Sequence, residues 1–307
     1  MPITSKAYNV IIDKVAFTMS LDELQQDRVF DRLVNKKLYR EYNGRVYYDD
    51  CSYRYNNNYQ FEIVKGEYAE VSIYPYDPEH NFIRAEYNPS KLKGVGRKEL
   101  RRALIKMLNV GVVKRIFFHA PVTRLDLTVD VYNMQPNLFI HYNWATHSEL
   151  HKIDHMIQSQ VVGSDRSDCR ITMYDKNAER RAQGKAEIGG NHQRIEMRLR
   201  NLRSTMNQLG NSFELVDKFE TINFFNGEFL LDRSFTQSFR RIASKHGLNM
   251  ALSLQERNDR ICYRRYLEEY REYPISISDE DYIRACRVAF GSLVHTGYKE
   301  QFLSKAA

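Results

Sequence analysis

Three segments of the chain set acidic, basic and phenolic side chains two residues apart, the spacing that a β-strand turns to a single face. In TRLDLTVDV, residues 123–131, Arg124, Asp126, Thr128 and Asp130 share a side while Leu125, Leu127, Val129 and Val131 take the other. In RITMYDKNAE, residues 170–179, Arg170, Thr172, Tyr174 and Lys176 lie opposite Ile171 and Met173. In RIEMRLR, residues 194–200, Arg194, Glu196, Arg198 and Arg200 lie opposite Ile195, Met197 and Leu199. A wet face of an antiparallel sheet explains any one such strand. Three in one chain, with carboxylates on one and cations, a phenol and a further carboxylate on the others, suit a definite chemistry. Asp126, Asp130 and Glu196 are oxygen ligands of the kind that hold Mg²⁺ or Mn²⁺ with positions left open for a phosphate. Arg124, Arg170, Arg194 and Arg198 suit the remaining phosphate oxygens. Tyr174 becomes a candidate nucleophile, because a phenol of ordinary pKa ~10 is inert at neutral pH unless a metal or a cation such as Lys176 stabilises its phenolate. Its attack on a DNA phosphodiester would leave a 3′-hydroxyl and a 5′-phosphotyrosyl ester, which can be resealed without ATP.

The elements that must position these groups follow from periodicity. Period-two alternation runs through NVIIDKVAFTM, GRVYYDDCSYRYNNNYQFEIVKG, EYAEVSIYPY, NFIRAEYNP, VTRLDLTVDVY, CRITMYDK and HQRIEMRLR. Three helices are expected among them: LDELQQDRVFDRLVNKKL behind a Ser20/Glu23 capping box, RKELRRALIKML after the Gly94/Gly96 loop, and HSELHKIDHMIQSQ with Leu150, Ile153 and Ile157 at helical spacing. From about residue 206 the period becomes helical, through SFELVDKFETINFF, SFTQSFRRIASKHG, NMALSLQERNDRICYRRYLEEYR and SDEDYIRACRVAFGSLVHTG. The expectation is an α+β fold, a central antiparallel sheet flanked by helices. Residues 1–205 would form the α+β catalytic domain and residues 206–307 a helical C-terminal region that could bind DNA.

Composition narrows the partner. Lys and Arg number 46 against 39 Asp and Glu, a net charge of +7, which favours a polyanion. Four cysteines, Cys51, Cys169, Cys262 and Cys286, lie far apart without metal-ligand spacing and suit a reducing compartment. No apolar run reaches the ~20 residues of a membrane helix, and MPITSKAYNVIID lacks a signal-peptide stretch, so a cytoplasmic protein is expected.

In order and spacing, the Arg-x-Asp strand at 124–126, the Tyr-x-Lys-x-x-Glu run at 174–179 and the Arg-x-Glu strand at 194–196 resemble the core motifs of the rolling-circle replication initiators of filamentous phages and related plasmids, and of conjugative relaxases. FIRAEYNPSKLKG, which runs a strand into a Pro-x-Lys turn, resembles the phage-type initiators too. The likeness covers roughly residues 80–205. It implies a nicking-domain sheet related to the His-hydrophobe-His endonucleases, although this chain has no His-x-His pair. It further implies that Tyr174 nicks, with Lys176 and Glu179 completing its motif and no role assigned to Glu179. Asp126 and Glu196 would bind or orient the metal, Mg²⁺ or Mn²⁺, with Asp130 as helper, and Arg124 and Arg194 would position phosphate or carboxylate. The implied partners are double-stranded origin DNA and the nicked single strand. A host helicase is implied as well, since no Walker motif occurs. A conjugative relaxase, or a non-catalytic DNA-binding repressor or packaging protein on the same sheet, are the alternatives.

Other residues carry weaker signals. His147, His151 and His155 recur every four residues, but without an HExxH carboxylate a polar helix face is the plainer expectation. GVGRKE lacks P-loop spacing. Tyr42, Tyr47, Tyr48, Tyr53, Tyr55 and Tyr59, interleaved with Arg40, Arg45 and Arg54, could stack on unpaired bases, although strand propensity explains most of them. Arg233, Arg240, Arg241, Lys245, Arg257, Arg260, Arg264 and Arg265 make cation-rich helices that could touch a duplex backbone.

Overall fold

The computed structural model describes residues 8–47, 55–75, 82–135, 137–154, 156–272, 274–291 and 293. Cys51, Tyr48, Tyr53, Arg54 and His155 lie outside them. In chain order the elements are β1 (Tyr8–Met19), α1 (Glu23–Phe30), β2 (Arg45–Tyr47), β3 (Tyr55–Val64), β4 (Glu67–Pro75), β5 (Ile83–Tyr87), α2 (Pro89–Leu108), α3 (Val110–His119), β6 (Val122–Tyr132) and β7 (Leu138–His141). There follow β8 (Ser148–Ile153), β9 (Met156–Val162), β10 (Cys169–Asp175), α4 (Lys176–Ala182), β11 (His192–Arg200), α5 (Met206–Gly210), α6 (Glu214–Glu220) and β12 (Asn223–Asn226). The last are α7 (Gln237–His246), α8 (Leu248–Ser253), α9 (Arg257–Leu267), β13 (Arg271–Glu272) and α10 (Asp279–Phe290). The fold is α+β with an extensive antiparallel sheet and flanking helices, as the alternating segments predict.

The chain forms two compact units. The first takes Met1–Ile11, Leu127–Leu199 and Phe213–Tyr282; the second takes Ile12–Asp126, Arg200–Ser212 and Ile283–Ala307. Segment 206–307, read as a helical C-terminal region, is thus shared out, and it includes the short strands β12 and β13 between its helices.

In the first unit the strand order is β11-β10-β9-β8, with the later part of β6 beside β11, and a small sheet β13-β12-β7 accompanies it. One face of these strands turns Ile171, Met173, Ile195, Met197 and Val162 inward, all buried. A core of Phe139, Phe225, Phe229, Phe235, Phe239, Leu248, Leu252 and Leu267 joins α7, α8 and α9 to β7 and β12, and Leu150 and Ile157 of the β8–β9 hairpin pack on it. Phe235, just ahead of the Thr236 cap, stacks on Phe239 in the first turn of α7 at 5.2 Å.

In the second unit the order is β2-β3-β4-β5-β1, with the start of β6 beside β1. β3 pairs β4 over Tyr55–Val64, and β5 pairs β1 with Tyr87 opposite Val15. Tyr55 and Tyr59 are buried, and Tyr59 meets Tyr39 at 5.5 Å, so these two rings belong to the interior and do not face a nucleic acid.

Four expectations change. HSELHKIDHMIQSQ is a β-hairpin: Leu150 and Ile157 pack on the core, Ile153 is exposed, and Asp154, at φ 49°, turns the chain back with Ile153 opposite Met156. The first helix is capped by Asp22, whose carboxylate accepts from Gln25 N at 2.8 Å, in place of Ser20. The second helix begins at Pro89 and absorbs Gly94 and Gly96, with its one non-helical residue at Lys93, φ 49°; GVGRKE is therefore helix and not a phosphate loop. SFELVDKFETINFF is helix only to Glu220, after which Phe224 and Phe225 enter β12 as buried strand residues. No helix among the described residues is long and apolar enough to cross a membrane.

Candidate active site

The Tyr174 hydroxyl donates to Glu196 Oε1 at 2.8 Å. The register explains the meeting: Tyr174 faces Arg194 and Thr172 faces Glu196, so phenol and carboxylate are diagonal neighbours on one face of β10 and β11. On its other edge Tyr174 faces Ser159 of β9, and Ser159 faces His151 of β8. Burial pushes the Tyr174 hydroxyl far above the ordinary phenol range; the Glu196 charge adds to this and Arg194 opposes it. At neutral pH the phenol therefore keeps its proton, and Glu196 is the group placed to take it.

Arg194 is fixed from behind. Its Nε and Nη2 donate to the two oxygens of Asp130 at 2.6 and 2.9 Å, a fork that sets the guanidinium plane. Asp130 is 5% exposed and His192, 2% exposed, brings Nε2 to 3.4 Å from Asp130 Oδ1 with its ring 4.7 Å from that of Tyr132. Burial lowers the His192 pKa while Asp130 works the other way, so the ring stands neutral against the ion pair.

Lys176 does not continue the strand. Asp175 ends β10 by accepting from Asn177 N and Ala178 N at 2.8 and 3.1 Å, which makes it the N-cap of α4 and Lys176 the first helical residue. Helix geometry then brings Lys176 to Glu179, with which it forms an ion pair, and holds Nζ 5.5 Å from the centre of the Tyr174 ring. Burial alone would raise the Glu179 carboxyl; Lys176, Gln183 and Arg194 outweigh it and hold Glu179 below its usual range. Glu179 thus acquires a place, as the counter-charge that anchors Lys176.

Asn177, buried on the next position, clamps the following loop. Its Nδ2 donates to the carbonyls of Ile188 and Gly190, both at 2.9 Å, and its Oδ1 accepts from Ile188 N at 3.0 Å. Asn177→Ala should cost about 1–2 kcal/mol of local stability, because the freed loop groups can reach water. Trypsin cleavage after Lys185 is expected to quicken by about tenfold, while an unchanged rate would show that the loop is held elsewhere.

Arg170 ion-pairs with Asp165 and faces Arg198 across β11. In the second unit, Arg124 donates from Nε and Nη2 to the two oxygens of Asp126 at 2.9 and 2.7 Å. Beside it stands Glu86, with Lys14 Nζ at 2.6 Å, Arg124 Nη1 at 3.7 Å and Arg84 in direct contact. Burial would raise the Glu86 pKa, but these cations, Arg84 foremost, bring it down to about 2.

The three carboxylates expected to share a metal are each engaged with a hydrogen-bond donor: Asp126 by Arg124, Asp130 by Arg194 and Glu196 by Tyr174. Among the described residues no three His, Cys, Asp or Glu side chains gather to hold an ion. Sequence reasoning also overlooked His192, Asn177, Asp175 and Glu86. Asp175 ahead of the helix-forming KNAERRA carried a capping signal, and Glu86 shares a strand face with Arg84 at two-residue spacing.

No protein-family model matches the chain, and no curated protein matches it. Among solved structures, it is similar to the rolling circle replication initiator protein from Geobacillus stearothermophilus, with 17% identity over 64% of this chain and 76% of that one and a TM-score of 0.37, a likeness too slight to carry an argument about activity.

Proposed function

We propose that the chain is a replication initiator of rolling-circle type, of a filamentous phage or related element, which nicks one strand of origin DNA and later rejoins it through a phosphotyrosyl ester on Tyr174. The observation that carries this reading is the Tyr174 to Glu196 hydrogen bond, set among Arg194 and Lys176 on the polar face of β10 and β11. Tyr174 Oη attacks the phosphorus as its proton passes to Glu196. The 3′-oxygen leaves and takes a proton from solvent. Arg194, held by Asp130, and Lys176, held by Glu179, supply positive charge for the oxygens of the pentacoordinate transition state. One phosphoester replaces another, so a free 3′-hydroxyl can reverse the step and release Tyr174 without an external energy source.

Supercoiled circles carrying the candidate origin test the reading, with Mg²⁺ or Mn²⁺ in one arm and EDTA in another. Nicked circles and a protein–DNA adduct stable in detergent are the expected products. Binding without nicking in every arm would favour a non-catalytic DNA-binding protein. Glu196→Gln keeps a hydrogen-bond acceptor and loses the base, so initial nicking rates should fall by about 10²–10⁴-fold with DNA affinity retained. A rate within about threefold of wild type would remove Glu196 from the proton transfer.

A further inference from the structure

We propose that the basic face of α2, in the second unit, grips the backbone of duplex DNA without reading its sequence. The inference rests on the proposed strand transfer at origin DNA and adds to it a binding surface made of residues other than those around Tyr174.

The positive excess of the chain is gathered in one segment. Residues 89–119, which are α2, Asn109 and α3, contain nine Lys or Arg and one acidic residue, Glu99, a net charge of +8. The whole chain carries +7, so everything outside this segment sums to −1. Of the seven cations on α2, three are matched: Lys91 by Glu67, Arg102 by Glu99 and Lys106 by Glu41. Lys93, Arg97, Lys98 and Arg101 make no ion pair or hydrogen bond among the described residues, and Arg101 Nε is buried without an acceptor. On the regular part of the helix, beyond the kink at Lys93, Arg97 stands one turn from Arg101 and Lys98 one turn from Arg102, a spacing at which like charges repel. A merely solvated face intersperses the two signs, whereas this one collects a single sign and suits a partner that brings the other.

Three anionic partners fit less well than a duplex. The apolar side of α2 is already occupied, with Leu92, Leu100, Leu104 and Met107 buried in the protein, so the helix has no apolar stripe to lay into a lipid surface. A protein partner would need an apolar centre, and Val95 is the one large hydrophobic side chain that α2 exposes. A single strand is held by stacking on aromatic rings, and α2 contains none. A rigid polyanion remains. The cations from Arg97 to Lys106 span about 14 Å of helix, a length over which a duplex presents about eight phosphates on its two strands. α9 supplies a matched contrast: its exposed Arg257, Arg264 and Arg265 are accompanied by Asp259, with Glu256 and Glu268 at the helix ends.

The test uses the full chain with Tyr174→Phe and a fluorescent duplex of about 24 base pairs and arbitrary sequence, read by anisotropy. Arg97→Gln/Lys98→Gln/Arg101→Gln should weaken binding at least about tenfold and lower the slope of log K against log salt by about 2.7, the loss of three duplex phosphate contacts. Arg257→Gln/Arg264→Gln/Arg265→Gln removes the same charge from α9 and should weaken binding less than about threefold. Arg97→Lys/Arg101→Lys keeps the charge and should bind within about twofold of the parent. Equal losses from the α2 and α9 triple variants, an unchanged salt slope in the α2 variant, or a parent protein that does not bind the duplex would each overturn the surface. Strand transfer is scored apart. With Tyr174 restored, the α2 triple variant should form the covalent adduct on a single-stranded origin oligonucleotide at a rate within about threefold of wild type. An adduct lost in that variant alone would assign the face to the cleaved strand and overturn the duplex grip. No adduct from any form would remove strand transfer and leave the duplex result standing. Should the triple variant not fold, Lys98→Gln, at an exposed position, decides by a fall in slope of about 0.9.

Discussion

Tyr174→Phe should abolish nicking, with a fall of at least about 10⁴-fold, because the substitution removes the attacking oxygen and no other group on the polar face of β10 and β11 can replace it. The protein should stay folded. Phenylalanine fills the same space in β10, and the loss is a single hydrogen bond to Glu196, worth about 1 kcal/mol. Affinity for origin DNA should change by less than about twofold, since the groups proposed to meet the phosphate, Arg194 and Lys176, are held by Asp130 and Glu179 and do not depend on the phenol. With origin DNA labelled on the 3′ side of the cut, in the fragment whose 5′-phosphate the tyrosine takes, the label should migrate with wild-type protein in a denaturing gel and with the variant should not. Tyr132→Phe is the control: its ring rests on His192, and its hydroxyl has no part in the proposed transfer. Nicking by Tyr174→Phe at more than about one per cent of the wild-type rate would transfer the nucleophile elsewhere.

The second large effect concerns stability. Glu86→Gln should destabilise the second unit by about 3 kcal/mol, because it leaves Lys14, Arg84 and Arg124 crowded around a neutral amide. The pKa of Glu86 gives a similar magnitude: a fall from 4.5 to about 2 corresponds to about 3 kcal/mol. The sign follows from the same shift. A carboxyl depressed in the folded state stabilises fully above its unfolded pKa, and this stabilisation is lost as pH falls through the folded value. Wild type should therefore lose stability between about pH 4.5 and about pH 2 by this route. The variant should start lower at pH 7, by about 5–10 °C in Tm, and show a shallower acid decline. Urea unfolding across a pH series reads both quantities. Parallel curves for the two proteins would show that the cluster contributes nothing specific.

Much of the sheet was legible because β6, β10 and β11 alternate cleanly, with buried aliphatics at every second position. The segment 147–160 was misread because Leu150, Ile153 and Ile157 stand at helical spacing, whereas Ile153 is exposed at the end of β8 and the left-handed Asp154 turns the chain back into a hairpin. Local pattern also gave no hint that Phe224 and Phe225 would leave a helical tract for a strand facing β7, since that choice is made by partners distant in sequence. The candidate site divides in the same way. Which face Tyr174, Arg194 and Glu196 share could be counted along the chain, whereas the partner each charge selects depends on register. Asp126 and Asp130 were read as ligands for a cation from solution, and the structure adds that each holds an arginine of the chain itself. Lys176 was placed on the strand because period two was carried one residue beyond the Asp175 cap.

β10 is an inner strand, hydrogen-bonded along Tyr174 to β9 on one edge and to β11 on the other. A DNA strand joined to Tyr174 would pull along a polymerase's path while copying proceeds. Force applied along an inner strand loads its hydrogen bonds side by side, so that many must fail together, whereas an edge strand peels one bond at a time. The position proposed to make Tyr174 the attacking group would therefore also make it a mechanically sound mooring, able to bear tension for as long as the ester lasts.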